Sequence, residues 1–259
     1  MTTDGRTPRI RYDEGCLAAH ALNVVGDRWA LLIVREMLLG PKRFQALRRG
    51  LPGITAAVMT QRLAQLAEAG VVAHDATLGI YALTESGRAL LPVLQAMCRW
   101  GAAHPGHDPR RFISPTALMI SMTAMIDSTA AQGRDVAAAF VMPREGFVQR
   151  LSGDGVLRPE VAPAPIGDFV LEGDGNRLAM AVYGPAPLAD LSARGVIGLR
   201  GDADAAQRVV ARRLAGQTLH RREHRRPLAD VAQVAAQQGR PVGTQRHDEA
   251  ERAEGRRRA

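Results

Sequence analysis

Behind Thr55, the apolar residues Met59, Leu63 and Leu66 recur at i, i+4 and i+7, the spacing of one helix face. On the opposite arc of the same helix stand Ala57, Thr60, Gln61, Ala64 and Gln65. Small and amide side chains form a slim polar surface that fits the major groove of duplex DNA. There glutamine pairs with adenine and alanine meets the thymine methyl group. Thr55 is placed to cap the helix, and the backbone N–H groups at Thr55, Ala56 and Ala57 suit a phosphate. Arg43, Arg48 and Arg49 just upstream suit further phosphate contacts, which position a duplex without reading it. His74, Thr77 and Leu78 occupy a tight turn that would serve as a wing. Arg62 borders the apolar stripe, so it suits an ion pair inside the domain as well as a phosphate. A polar arc is also what a solvated amphipathic helix carries, and the pattern alone leaves both readings open.

Short elements must hold these residues in place. Leu17, Ala21, Val24 and Val25 share one helix face. Residues 29–39 are more apolar throughout and read as a buried helix stopped by Gly40-Pro41. Residues 43–49 make a short helix with Phe44 and Leu47 inward, and Gly50-Leu51-Pro52-Gly53 is a turn. The helix capped by Thr55 runs to Ala69 and stops at Gly70. Residues 71–75 and 79–83 read as a β-hairpin. Thr84 then starts a long helix with Leu90, Leu91, Leu94 and Met97 on its apolar face. Two prolines and a glycine in AAHPGHDP break it near residues 103–109.

Charge is distributed unevenly. Residues 1–112 carry 14 basic and 9 acidic side chains, net +5; residues 113–219 carry 10 and 11, net −1; residues 220–259 carry 10 and 6, net +4. A basic first region is compatible with an anionic partner such as nucleic acid, but charge alone favours the plainer reading of a solvated basic surface. Lys42 is the only lysine, and the arginines that supply the remaining cation suit bidentate phosphate contacts but equally fit a bias of genome composition. Cys16 and Cys98 have no paired spacing, and the seven histidines lack metal-ligand spacing, so neither metal nor cofactor is expected. No run of eighteen apolar residues reads as a membrane span, and the first residues lack a signal-peptide pattern. A cytoplasmic location is the expectation. Nucleophile-elbow, phosphate-loop and zincin motifs are missing, so no enzyme is expected.

Residues 16–101 also resemble a known family. The matching features are Cys16, Gly26-Asp27-Arg28-Trp29, Gly40-Pro41 with Arg43-Phe44 and Leu47, Leu51-Pro52-Gly53-Ile54, Arg62-Leu63 with Leu66, Tyr81-Leu83-Thr84-Gly87, and Trp100. In this order they resemble the HxlR-type winged helix-turn-helix regulators, relatives of MarR. The resemblance implies a transcription regulator that binds double-stranded DNA as a homodimer, with residues 16–25 and 86–103 as dimer elements. Family members often carry a basic residue where this chain has Ala57 and Gln61, which predicts a weaker nonspecific contribution here. Cys16 stands where some members place a redox sensor; the alternative is a small buried residue at a helix start.

The expected order is an N-terminal arm (1–15), a winged helix domain (16–111), an α+β domain (112–219) and a basic, disordered tail (220–259). In the α+β domain, Ser114-Pro115 begins a strongly apolar helix over residues 116–130. Strands are expected at 138–142, 146–151, 168–171 and 178–182, with hairpin turns at Gly153-Asp154-Gly155 and Gly173-Asp174-Gly175-Asn176. A short helix near 188–193 leads to an extended run at 196–199, and Asp202 caps a last helix reaching Leu214. With FVLEGDGNRLAMAVYG and GLRGDADAAQRVV, this order resembles the sterol-carrier-protein-like fold. The resemblance implies an apolar cavity for a hydrophobic small-molecule effector, walled by Met119, Met122, Met125, Met142 and Met180. Those methionines equally suit a filled core. The competing function is a lipid-binding protein that uses its winged helix only to dimerise.

Overall fold

A computed structural model describes residues 11–126, 133 and 135–210. The first region is helical with a small sheet. It contains α1 (Leu17–Val25), α2 (Ala30–Met37), β1 (Lys42–Arg43), α3 (Phe44–Gly50), α4 (Ala56–Glu68), β2 (Val72–Asp75), β3 (Ile80–Leu83), α5 (Glu85–Arg88) and α6 (Leu91–Ala103). Ile33, Val34, Leu47, Met59, Leu63 and Leu66 form the centre of its core. The three strands pair antiparallel in the order β1-β3-β2. Two residues are too few for a periodic signal, and the second of them, Arg43, reads as the start of the following helix.

The single long helix expected from Thr84 is divided. Thr84 caps α5 by accepting from the Gly87 N–H at 3.2 Å, and α6 starts afresh with Pro92 in its first turn. A proline there has no N–H to continue the preceding helix. Leu94 is buried, but Met97 is 50% exposed, so the apolar face read on this helix does not all point inward.

The second region is a mixed layer of helix and sheet. It comprises α7 (Pro115–Met125), β4 (Val136–Val141), β5 (Gly146–Leu151), β6 (Leu157–Val161), β7 (Phe169–Glu172), α8 (Gly175–Tyr183), α9 (Leu188–Ala193), β8 (Gly198–Gly201) and a helix over residues 203–210, here α10. The sheet order is β6-β5-β4-β7-β8, antiparallel except between β4 and β7. Ser114 caps α7 through the Ala117 N–H at 3.0 Å. That helix is buried on nearly every side, which is why its sequence is apolar all round.

Two expectations fail here. Residues 178–182 form part of helix α8, not a strand, and Gly173-Asp174-Gly175-Asn176 is a helix start in place of a hairpin turn. Asp174 accepts from the Arg177 N–H at 2.9 Å, and Leu178, Ala179, Ala181 and Val182 are buried at helical spacing. A five-residue apolar run does not distinguish the two periods. The unforeseen strand β6 contains Pro159 and lies at the sheet edge, where a missing N–H is tolerated. Asp202 caps α10 through the Ala205 N–H at 2.8 Å. The expected end of that helix at Leu214, the last residues of the helix expected over 116–130, most of the arm and the basic tail lie outside the described residues.

α7 packs against α2 and α6, and a buried polar cluster joins the two regions. Glu36 of α2 is 1% exposed. It accepts from Ser114 Oγ at 2.6 Å and from Arg35 at 2.7 Å, with Lys42 Nζ at 3.8 Å. Lys42 in turn donates to Thr116 Oγ1 at 2.8 Å and pairs with Glu145 at 3.3 Å. A buried carboxylate needs this density of partners to offset its lost hydration. Gly50 approaches so closely that a Cβ would meet the Glu36 carboxylate.

Candidate nucleic-acid interface

α4 is held by its stripe: Met59, Leu63 and Leu66 are 0–2% exposed. Ala56, Ala57, Thr60, Gln61 and Ala64 are exposed on the other side. Thr55 Oγ1 accepts from the Val58 N–H at 3.3 Å, which leaves the Ala56 and Ala57 N–H groups as the free donors of the first turn. The slim, uncharged arc expected of a groove-reading helix is therefore presented outward.

Arg62 has an internal partner. Its guanidinium pairs with Asp27 at 2.8 Å and donates to the Gln65 side chain. Of the two uses open to it, the structure shows the ion pair, and Gln65 is occupied with it. Asp27 also accepts from the Trp29 N–H at 2.9 Å, and Arg28 lies over the Trp29 ring at 5.3 Å. The Gly26-Asp27-Arg28-Trp29 run thus starts α2 and anchors α4 at once. That link spans 35 positions of sequence, so no local pattern announces it.

The β2–β3 hairpin forms the wing. Asp75 accepts from the Thr77 and Leu78 N–H groups at 2.9 and 3.0 Å, and Gly79 takes φ +63, a conformation that favours glycine. His74 stacks on Tyr81 across the hairpin at 4.3 Å. Its ring braces the wing, while Thr77 and Leu78 are exposed at the tip. Sequence reading did not single out Asp75, whose turn-forming Asx geometry is a recognisable signal. Arg48 and Arg49 are exposed on α3, and Arg43 is exposed on β1.

The methionines do not gather into one pocket. Met119 and Met122 are fully buried in the core of the second region, Met125 and Met142 nearly so, and Met180 is 46% exposed on α8. Met180 reads as a core residue only if its segment is a strand. Buried Gln149 donates to the Met119 carbonyl at 2.9 Å, and its own side-chain oxygen has no hydrogen-bond partner among the described residues.

Cys16 is exposed, so the alternative of a buried residue does not hold. Burial raises the Cys98 thiol above its ordinary value, partly opposed by Arg35 and Arg99. Among the described residues, no group of three or more His, Cys, Asp or Glu side chains is arranged for a metal. No single described helix is long and apolar enough to cross a membrane.

A capped helix with an apolar inner stripe, a slim outer arc and a flanking hairpin defines a winged helix-turn-helix of the DNA-binding class. Residues 24–108 match the HxlR-like helix-turn-helix model. The chain is 30% identical over 98 residues to an HTH-type transcriptional regulator of Methanothermobacter thermautotrophicus, covering 36% of this chain and 75% of that one. It is 34% identical over 96 residues to the HTH-type transcriptional regulator YybR of Bacillus subtilis, covering 35% and 77%. Among solved structures, quinone-bound YodB from B. subtilis is 34% identical, covering 32% of this chain and 93% of that one, with a TM-score of 0.31. This chain belongs to the HxlR-like helix-turn-helix family.

Proposed function

We propose that this DNA-binding transcription regulator reads its operator through the outer arc of α4 and the wing, with two copies of the chain acting together. The arc carries the reading: Ala57, Thr60 and Gln61 are exposed on a helix fixed by three buried residues. Gln61 and Thr60 contact base edges, the Ala56 and Ala57 N–H groups and Arg48 hold phosphates, and Thr77 with Leu78 follows the adjacent backbone. An unusual apolar exposure supports pairing of two chains. Leu17 and Leu22 on α1, and Val93, Met97 and Trp100 on α6, are 45–86% exposed, which is apolar surface that a second chain could cover. A paired protein places two recognition helices on a palindromic site.

In this reading the second region, packed on the first through α7, is a sensing part with the sterol-carrier-protein-like architecture, responsive to a hydrophobic effector, and the protein works in the cytoplasm beside its DNA. Footprinting of genomic DNA bound by the full chain supplies the operator. Salt titration on that operator then tests the mode of binding. A steep fall of affinity with rising salt is the expected result for phosphate neutralisation. Retention of dimer mass with no sequence-selective DNA binding would leave the competing lipid-binding function, with the winged helix serving only association.

A further inference from the structure

A solvent-open cleft of about 810 Å³ lies where β1 and α3 face the turn between β4 and β5. Its volume is in the range of about 300–1,000 Å³ typical of small-molecule sites. Leu39, Ala46, Val141, Met142, Val161 and Pro163 give it apolar walls. Arg43 and Arg49 line one side and Arg144 the other. All three are exposed, and none has an ion-pair partner among the described residues. The one acidic residue of the lining, Glu145, is paired with Lys42 at 3.3 Å. The cleft is therefore a hydrocarbon-lined concavity with an uncompensated set of guanidinium groups at its edge.

We propose that this cleft binds an apolar organic carboxylate. A guanidinium takes a carboxylate through two parallel hydrogen bonds, and the walls remove the hydrocarbon body from water. Duplex DNA fits the site poorly, because phosphate contacts use polar, open surfaces and gain nothing from a concave apolar floor. The site also has a route to the wing. Arg43 belongs to β1, which pairs with β3 through Lys42↔Tyr81 and Arg43↔Ile80, while Arg144 belongs to the second region. A carboxylate held between them ties the wing sheet to that region. The coupling, which rests on the regulator reading, requires ligand and operator to change each other's affinity by the same factor.

The test uses the full chain with 2-naphthoate as a fluorescent probe and neutral 2-naphthamide as its control. Saturable naphthoate binding is expected, weakened about tenfold, or about 1.4 kcal/mol, in Arg144→Ala and similarly in Arg49→Ala. The amide binds at least tenfold more weakly than the acid. Arg144→Ala leaves ligand-free operator affinity and its salt dependence unchanged, which also shows that the variant is folded. No saturable binding, equal binding of acid and amide, or a reduced salt slope in Arg144→Ala would each overturn the proposal. The naphthoate titration contains no DNA, so failure of the regulator reading would show separately as missing operator binding beside intact probe binding.

Discussion

Glu36 is the residue whose loss the structure penalises most clearly. It is 1% exposed and holds Arg35, Lys42 and Ser114 from three different segments. Glu36→Ala leaves the Arg35 guanidinium and the buried Ser114 hydroxyl without their acceptor, takes one of its two carboxylate neighbours from Lys42, and opens a void beside Gly50. Breaking a buried pair from one side costs about 3–5 kcal/mol. For a chain of this size each kcal/mol shifts the melting temperature by about 2–4 °C, so a drop of roughly 10 °C is expected. Glu36→Gln keeps the volume and an acceptor for Ser114 while removing the charge, and is expected to cost about 1–3 kcal/mol. Ser114→Ala additionally removes the cap of α7, worth about 1 kcal/mol. Because Ser114 and Glu36 touch, the double variant Glu36→Gln/Ser114→Ala should be less unstable than the two costs added. Urea denaturation followed by circular dichroism measures all four proteins. A Glu36→Ala unfolding free energy within about 1 kcal/mol of the parent would refute the assignment of this cluster as the junction's main polar tie.

Gln61→Ala should lower operator affinity by about 1–3 kcal/mol and flatten discrimination at one base pair; fluorescence anisotropy against single-base operator variants checks both effects. Trp100→Glu with Leu17→Glu should shift the mass in sedimentation from dimer to monomer, and an unaltered dimer would remove α1 and α6 from the interface. Arg62→Ala should cost only about 0.2–1 kcal/mol, since its pair with Asp27 is partly solvated, and should leave the salt slope of DNA binding unchanged; a shallower slope would mean that Arg62 also meets phosphate. Because burial raises the Cys98 thiol, less thiolate is present at pH 8 than on a free cysteine. Timed iodoacetamide labelling with peptide mass mapping should therefore modify exposed Cys16 first, and equal rates at both positions would contradict this.

Helix α4 was legible because its evidence is local. Thr55, the stripe from Met59 to Leu66 and Gly70 all lie within one helix length, and each does in the fold what its type and spacing imply. What escaped reading was tertiary or ambiguous in period. The partner of Arg62 is Asp27, and nothing near Arg62 in sequence indicates it. Gly50 reads as part of a turn, yet it ends α3 and makes room for a carboxylate contributed by α2. The run from Leu178 to Val182 is short enough to satisfy a strand, until the cap at Asp174 decides for helix. Met180 went with it, placed among core residues by a period that the chain does not adopt.

Lys42 carries the only side-chain primary amine in the protein, and its side chain is 12% exposed between Thr116, Glu145 and Glu36. An amine-selective acylating reagent therefore has one internal target, located at the seam between the two regions. Its rate of acylation is a built-in gauge of how often that seam opens. Naphthoate would shield Lys42 directly, because Lys42 lines its cleft, so the comparison is with and without operator. Read by mass spectrometry in those two states, one residue would report the communication between the regions without any label being introduced.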